Sequence, residues 1–242
     1  MRTTRCHVAM PLPVGSKIVL PESAAAHLVR VLRLREGDAC VLFNGDGNDC
    51  AARIATAGKR EVVVEILSSA AVGNESPLRI TLVQGIARGE KMDLILQKAT
   101  ELGVAAIVPV VAERTEVKLD AERTEKRMAH WRSVVASACE QSGRSVVPTL
   151  AAPAALADAV RAIEGSLKLV LDPAGEDSLA SLRAPASSVV LTIGPEGGWS
   201  PRDRATLNGA GYTGLRLGPR VLRTETAGLA AIAALQARFG DL

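Results

Sequence analysis

Aromatic residues are nearly absent from this sequence of 242 residues, which contains two Phe, two Trp and one Tyr. Leu, Val, Ile and Ala must therefore fill any core, and stacking of bases on aromatic side chains cannot be a main means of recognition. Hydrophobic residues still make up 48 % and charged residues 23 %, the balance of a globular protein with a sizeable core.

Cysteine is also scarce, and its placement argues against a metal site. Cys6, Cys40, Cys50 and Cys139 form no C-x-x-C pair, and no His lies at zinc-ligand spacing, so we expect neither metal nor a disulfide framework. No apolar run approaches the ~18 residues of a membrane span, and the start resembles no signal peptide. We therefore expect a cytoplasmic protein. A net charge of +3 is compatible with a nucleic-acid partner but also with many metabolic enzymes.

The N-terminal block, residues 1–70, consists of short strands separated by turns. This spacing predicts a small β-barrel domain, with one helix from about Glu22 to Arg33 and a linker at 68–77. The predicted strands are KIVL (17–20), ACVLF (39–43), CAARIA (50–55) and EVVVEIL (61–67).

The second block, residues 77–242, alternates apolar strands with helices, which predicts a mainly parallel sheet covered on both faces. Helices are expected at 90–103, from Ala121 to Gln141, after Trp199 and at the end of the chain to about Arg238. The predicted strands are 78–84, 105–111, 167–172, 187–194 and 213–218.

The segment TIGPEGGWSP (192–201) is an unusual strand end. Its three glycines permit close approach of the backbone to a ligand, and Ser200 and Pro201 are suited to the N-cap and first position of a helix. Ligands of open α/β sheets bind at such carboxyl ends. The alternative interpretation is an ordinary strand-to-helix turn. Neither G-x-G-x-x-G nor Gly-Lys-Ser/Thr occurs here, which disfavours dinucleotides and triphosphates.

Two further strand ends belong to the same argument. The segment 215–235 closes a strand at Leu217-Gly218-Pro219 and opens a thin helix rich in Ala and Gly, with Thr224 as the expected N-cap and Glu225 in its first turn. Tight core packing is the alternative reason for the small residues. A third strand stops at LDP (171–173), which alone indicates little.

Together these segments resemble the SPOUT methyltransferases, and specifically the ribosomal small-subunit methyltransferase E family. In the N-terminal block the resemblance includes Arg5, HLVRVLRLREGD (27–38) and FNGDG (43–47), so it covers nearly the whole chain. Thr115 departs from the Cys or Ser of many members. The remaining matching segments are GEKMDLILQKATELGV (89–104), ERTEVK (113–118), ACEQSGR (138–144), LTIGPEGGWSP (191–201) and LGPRVLRTETA (217–227).

The resemblance implies an α/β fold with a deep C-terminal trefoil knot, preceded by a PUA-like β-barrel, in a homodimer. It also implies S-adenosylmethionine as methyl donor and the N3 of a uridine in 16S ribosomal RNA of the small subunit as acceptor. The cofactor-binding residues that it implies are Leu171, Pro173, Thr192, Gly194, Pro195, Glu196, Gly197, Gly198, Leu217, Gly218, Leu222, Thr224 and Ala227.

Transfer to N3 needs a stabilised uracil anion, because the neutral nitrogen carries a proton. Arg223 and Arg114 are the candidates for charge stabilisation, and Glu140 is the candidate base. A helix-end ion pair is the alternative role of Glu140 and Arg144.

RNA affinity is expected from basic side chains that contact phosphates. His27, Arg30 and Arg33 step by three residues and are expected to share one helix face, with Leu28, Val31 and Leu32 turned toward the core. The predicted RNA surface comprises these three with Arg5, and Arg144 is a further candidate. A solvated helix face is the alternative.

Two other functions remain open at this point. One is a tRNA ribose 2′-O-methyltransferase of the same fold, against which the ARGEKMD segment and the N-terminal block argue. The other is a non-catalytic RNA-binding assembly factor, against which the intact GPEGG and LR-x-ETA segments argue.

Overall fold

The computed structural model describes residues 4–58, 61–117, 120–185 and 187–242. Residues 1–3 of the predicted N-terminal domain and Lys118 of the ERTEVK motif lie outside the described residues. The chain divides into two compact units: the first comprises residues up to Glu75 together with Ala136–Val147, and the second comprises Ser76–Val135 and Pro148–Leu242.

The first unit contains a five-stranded sheet in the order β1-β3-β4-β5-β2. β1 pairs with β3 in parallel, and the other pairs are antiparallel. The sequence predicted four of these strands and missed β1, which has only three residues. The strands are β1 Arg5–His7, β2 Lys17–Val19, β3 Ala39–Phe43, β4 Asn48–Ala57 and β5 Val62–Ala71.

The predicted linker was wrong in its first part. β5 continues to Ala71, and its last residues pair with the start of β4 as far as Asn48 opposite Ala71. Small polar residues are poor strand formers by themselves, but pairing to a neighbouring strand overrides this weak preference.

The predicted helix from Glu22 to Arg33 also needs correction. A four-residue helix, α1 (Glu22–Ala25), leads into a π-helical segment, Ala26–Val31, which ends before Arg33. Leu28 is buried as expected, but Val31 is 66 % exposed and Leu32 is 41 % exposed. The π-helix closes its turns with longer i to i+5 hydrogen bonds, such as Leu32 N–H to His27 O (3.0 Å), so the 3.6-residue spacing does not apply.

The core of the first unit contains three cysteines among aliphatic residues, including Leu28, Leu42, Ile54 and Ile66. All four cysteines of the chain are buried and free. Burial raises the pKa of Cys6 to about 12 and those of Cys40 and Cys139 to about 11, so these thiols are protonated at neutral pH. No group of His, Cys, Asp and Glu suited to a metal ion occurs in the part of the chain that the structure describes.

The second unit contains an eight-stranded sheet whose pairs are all parallel, which confirms the predicted mainly parallel sheet. The strand order is β11-β13-β10-β12-β6-β7-β8, with β9 paired to β7. The strands are β6 Arg79–Gly85, β7 Ala106–Val111, β8 Thr149–Leu150, β9 Ala154–Ala155, β10 Leu167–Leu171, β11 Asp177–Ser178, β12 Ser188–Ile193 and β13 Thr213–Arg216.

In the described ranges, five further helices follow α1. The four predicted ones are present, whereas the seven-residue α4 was missed together with the two-residue strands β8, β9 and β11. The helices are α2 Glu90–Glu101, α3 Ala121–Ser142, α4 Leu156–Ala162, α5 Pro201–Gly209 and α6 Thr224–Phe239.

The structure of α2 explains why this helix was predictable from its apolar spacing. Its buried side chains, Met92, Ile95, Leu96 and Ala99, recur at helical spacing on one face. Gly103 follows the C-cap residue with a φ of +82°, the left-handed conformation that glycine adopts at low cost.

Helices cover the sheet of the second unit on both faces. Val83, Val170 and Val190 pack with residues of α4 and α5 in one cluster. Because side chains alternate along a strand, the buried residues Leu82 and Leu191 face the other way, where α6 contacts β12 and α2 packs on α6. Among the described residues, no helix is both long and apolar enough to cross a membrane.

Candidate functional site

The three strand ends singled out from the sequence lie side by side in the second unit. Strands β13, β10 and β12 are adjacent and parallel, and they end at Arg216, Leu171 and Ile193. The loops that follow surround a cavity of about 400 Å³. The cavity therefore occupies the edge of the sheet at which open α/β folds bind their ligands.

Hydrogen bonds connect the three loops to one another. The indole Nε1 of Trp199 donates to the carbonyl of Leu171 at 3.2 Å, which joins the loop after β12 to the end of β10. The Thr224 hydroxyl donates to the carbonyl of Gly194 at 2.6 Å and accepts from the Gln84 amide at 3.0 Å. The backbone around the cavity is thus positioned by side chains within the same unit.

The starts of the two helices beside the cavity differ from each other. Ser200 caps α5 in a reciprocal capping box with Asp203, and Pro201 is the first helical residue, both positions as predicted. Thr224, in contrast, is not the N-cap of α6, because Arg223 occupies that position. The Thr224 hydroxyl is directed to the Gly194 carbonyl instead, so its side chain joins loops rather than capping a helix.

Most of the residues predicted to bind a cofactor line this cavity. Thr192 is instead buried within β12, just before the strand end. The predicted cofactor-binding residues that line the cavity are Leu171, Pro173, Gly194, Pro195, Glu196, Gly198, Leu217, Gly218, Leu222, Thr224 and Ala227.

Gly197 is set apart from the cavity by its neighbour Arg114. A Cβ at Gly197 would lie 2.8 Å from the Arg114 Cβ and 3.0 Å from its carbonyl oxygen. The Arg114 guanidinium donates to the Gly197 carbonyl at 3.2 Å. The missing side chain therefore makes room for Arg114, and the role of Gly197 in cofactor binding stays a prediction.

The three predicted catalytic residues are divided between the two units. Arg114 and Arg223 both line the cavity of the second unit. Glu140 belongs to the first unit, where its Oε1 accepts a hydrogen bond from the backbone N–H of His7 at 2.9 Å.

The predicted RNA-binding arginines Arg5 and Arg144 lie in a polar network of the first unit. Arg5 pairs with Asp49 and donates to the Ser145 hydroxyl at 2.9 Å and the Arg144 carbonyl at 3.1 Å. The Arg144 side chain, only 5 % exposed, pairs with Glu75, with Nε at 3.0 Å from Oε1.

The other predicted RNA-binding residues are accessible. His27 is half-buried, and Arg30 and Arg33 are exposed. Arg33 lies beyond the π-helix with a φ of +60°, so the three side chains do not step along one regular helix as expected. Their contact with RNA stays a prediction.

Several charged residues line the cavity that the sequence analysis did not predict there. Lys91 of α2 pairs with Glu196 at 3.4 Å, and Arg204 of α5 pairs with Asp172. Burial raises the pKa of Glu196, but hydrogen bonds from the Arg88 and Glu196 backbone and from Lys91 outweigh it, so the net pKa is below its usual value. Both helices were predicted, but nothing in the sequence around Lys91 or Arg204 indicates that these side chains reach the cavity.

Glu225 also lines the cavity, in the first turn of α6. Its Oε2 is buried and has no hydrogen-bond partner. An unpaired buried carboxylate oxygen is costly, so this atom is suited to a ligand that carries positive charge or N–H donors.

Comparison with known proteins gives a consistent picture. The sequence model of a family described as "RNA methyltransferase domain" matches residues 74–236, and one described as "RNA methyltransferase PUA domain" matches residues 20–67. The chain is similar to proteins named "Ribosomal RNA small subunit methyltransferase E". One from Buchnera aphidicola is 34 % identical, with 100 % of this chain and 98 % of the relative covered, and one from Bacillus subtilis is 31 % identical, with 86 % and 85 % covered.

Solved structures are similar over the whole chain. A protein from Legionella pneumophila, solved in complex with the bound cofactor SAM, has a TM-score of 0.97 at 42 % identity, with 100 % of both chains covered. A ribosomal RNA small subunit methyltransferase E from Neisseria gonorrhoeae, bound to S-adenosyl methionine, has a TM-score of 0.92 at 40 % identity, again with 100 % of both chains covered.

Proposed function

Because this chain belongs to the ribosomal RNA small subunit methyltransferase E family, we propose that it methylates N3 of a specific uridine in 16S ribosomal RNA with S-adenosylmethionine as donor. The observation that carries the proposal is the cavity at three adjacent parallel strand ends, lined by the GPEGG and LR-x-ETA loops. Relatives similar over the whole chain bind this cofactor.

The residues of the cavity fit such a cofactor. Ile193, Leu217 and Leu222 offer apolar side chains to a planar base. Glu225 offers a buried carboxylate oxygen without a partner, which suits the ammonium or sulfonium group of the methionine part. When bound, S-adenosylmethionine supplies a methyl group that is already activated by the positive sulfur.

The residues of the chain would then position the acceptor and stabilise charge on it. Arg223 and Arg114 line the cavity, where a guanidinium can stabilise negative charge that develops on the uracil carbonyl oxygens as N3 loses its proton. Glu140 as the base stays a prediction, and its carboxylate is bound to the His7 N–H in the first unit.

Three further features belong to the proposal. The N-terminal domain, residues 1–70, would bind RNA through Arg5, His27, Arg30 and Arg33, with Arg144 as a further contact, in the cytoplasm where ribosomes are made. The C-terminal part of domain 77–242 would form a trefoil knot, which agrees with the close approach of α6 to β12: a Cβ at Gly228 would lie 3.4 Å from Ile193 Cγ1. The active unit would be a homodimer, for which light scattering at micromolar concentration is the test.

Mass spectrometry of ribosomal RNA nucleosides tests the reaction. The protein is incubated with labelled cofactor and small subunits that lack the modification. We expect labelled 3-methyluridine. Labelled ribose 2′-O-methyl nucleosides would instead support the alternative acceptor, and cofactor affinity without any transfer would support a non-catalytic role.

A further inference from the structure

The segment from Arg216, the last residue of β13, to Arg223, the N-cap of α6, carries positive charge at the edge of the cavity and is called here the arginine loop. Arg216, Arg220 and Arg223 are exposed and all line the cavity. Within the described ranges none of their side chains has an ion-pair or hydrogen-bond partner. Lys91 and Arg204, which also line the cavity, are paired with Glu196 and Asp172.

The carboxylates of the cavity leave this charge without compensation. Asp172 and Glu196 already face their own cations, and the Oε2 of Glu225 is buried. Three guanidinium groups within eight residues repel one another, and a bound anion would relieve that repulsion. The planar guanidinium matches phosphate oxygens with two parallel hydrogen bonds.

An apolar side chain lies between these cations. Val221 is 80 % exposed, the highest value among the large hydrophobic residues that the structure describes. Contact between an exposed valine side chain and another apolar surface, such as the face of a base, is favourable because it removes apolar area from water. Charge and an apolar contact thus occur together on one loop.

We propose that the arginine loop binds a single-stranded segment of the RNA substrate. Arg216 and Arg220 contact backbone phosphates next to the target nucleotide, and Val221 contacts a neighbouring base. The segment is single-stranded because a base inside a helix is stacked and paired, so its N3 cannot enter a cavity. This inference rests on the proposed function for the identity of the substrate, but it concerns binding alone.

The test is the salt dependence of RNA affinity of the full chain. The probe is a fluorescent single-stranded oligoribonucleotide of about 12 nucleotides, within the range that one binding surface covers. In the double variant Arg216→Ala/Arg220→Ala, the slope of log affinity against log salt should become shallower by about 0.7 per lost phosphate contact. Arg216→Lys/Arg220→Lys should keep most of the slope, because it keeps the charges.

The matched control is Arg161→Ala/Arg202→Ala, which removes two exposed arginines of the same unit that do not line the cavity. It should leave the slope unchanged. An equal loss of slope in control and test variants would overturn the proposal, since net charge alone would then explain the effect. An equal loss for a duplex of the same length would overturn the assignment to single strands.

Val221 is tested apart from the charges. Val221→Ser should weaken affinity for the single strand while the salt slope stays the same, because no phosphate contact is removed. An unchanged affinity would overturn the base contact.

Calorimetry with S-adenosylmethionine completes the design. The Arg216→Ala/Arg220→Ala variant should bind the cofactor as the parent chain does. Weakened cofactor binding with an unchanged RNA slope would overturn the proposal, since the arginines would then hold the cofactor carboxylate. A parent chain that binds the single strand with the expected slope but transfers no methyl group would refute the proposed function and leave this surface standing.

Discussion

The arginines of the first unit are surrounded by acceptors, whereas those of the arginine loop in the second unit face none. Arg5 and Arg144 contact Asp49, Glu75, a serine hydroxyl and a main-chain carbonyl. Arg216 and Arg220 are exposed, with no such neighbour among the described residues. The same residue type thus holds a fold together in one unit and remains free for an anion in the other, and the distribution of carboxylates decides which.

The largest effect is expected where a paired arginine loses its partner. Glu75→Ala leaves the buried Arg144 guanidinium without its carboxylate, and breaking a buried pair in this way costs about 3 kcal/mol. Both tryptophans, Trp131 and Trp199, belong to the second unit, so amide hydrogen exchange of β3 to β5 is the suitable measurement.

The control for Glu75→Ala is Glu65→Ala, which removes a carboxylate of β5 for which the described residues show no ion pair. It should change exchange rates little. If both variants behave alike, the pair with Arg144 adds no stability and the contrast between the units fails on its first side.

The next largest effect, on the methylation rate, is expected for Arg223, the arginine at the N-cap of α6 that is unpaired among the described residues. Arg223→Ala should lower the single-turnover methylation rate about 100-fold, the usual result of removing one group that stabilises transition-state charge. Cofactor affinity, measured by calorimetry, should stay the same. A variant that loses cofactor affinity but not rate would assign Arg223 to cofactor binding.

Strand ends were predictable because their signals are local. Glycine and proline at 194–198 and at 218–219 stop a strand wherever it lies in the fold, and the apolar spacing of α2 identifies its buried face. The parallel sheet followed from the alternation of strands and helices. The position of the cavity then followed from topology.

Contacts between distant residues could not be predicted in the same way. Arg144 and Glu75 are 69 positions apart, and nothing in either segment shows that they meet. For that reason the sequence did not show that Arg5 and Arg144 have acceptors within the first unit, and their contact with RNA stays a prediction. The π-helix at Ala26–Val31 was missed because its apolar spacing also fits an ordinary helix.

A smaller effect, on cofactor affinity, is expected when a hydrogen bond between the cavity loops is removed than when an ion pair of the first unit is broken. Thr224→Val removes the hydroxyl that joins Gly194 and Gln84, so cofactor affinity should fall by about 1 kcal/mol, or roughly fivefold. Isothermal calorimetry measures this. Thr226→Val, at an exposed position of the same helix, is the control and should bind as the parent does.

The smallest expected effect concerns the exposed arginines of the first unit. Arg30→Ala/Arg33→Ala should lower the salt slope of RNA binding by at most about one per lost contact, with cofactor affinity untouched. An unchanged slope would mean that these side chains form only a solvated surface. RNA contacts would then be sought on the second unit.

The division of the first unit into two stretches of chain has a consequence for its synthesis. Arg5 and Asp49 leave the ribosome early, but Ser145, which hydrogen-bonds to both, is added roughly 70 residues after Glu75. At about 5–20 residues per second, the N-terminal sheet waits about 4–14 s for its missing segment. During that interval water hydrogen-bonds to the polar groups of the sheet. A fragment that stops at residue 70 never contains the segment that carries Ser145. The unit that begins the sequence therefore cannot be completed until synthesis has reached Val147.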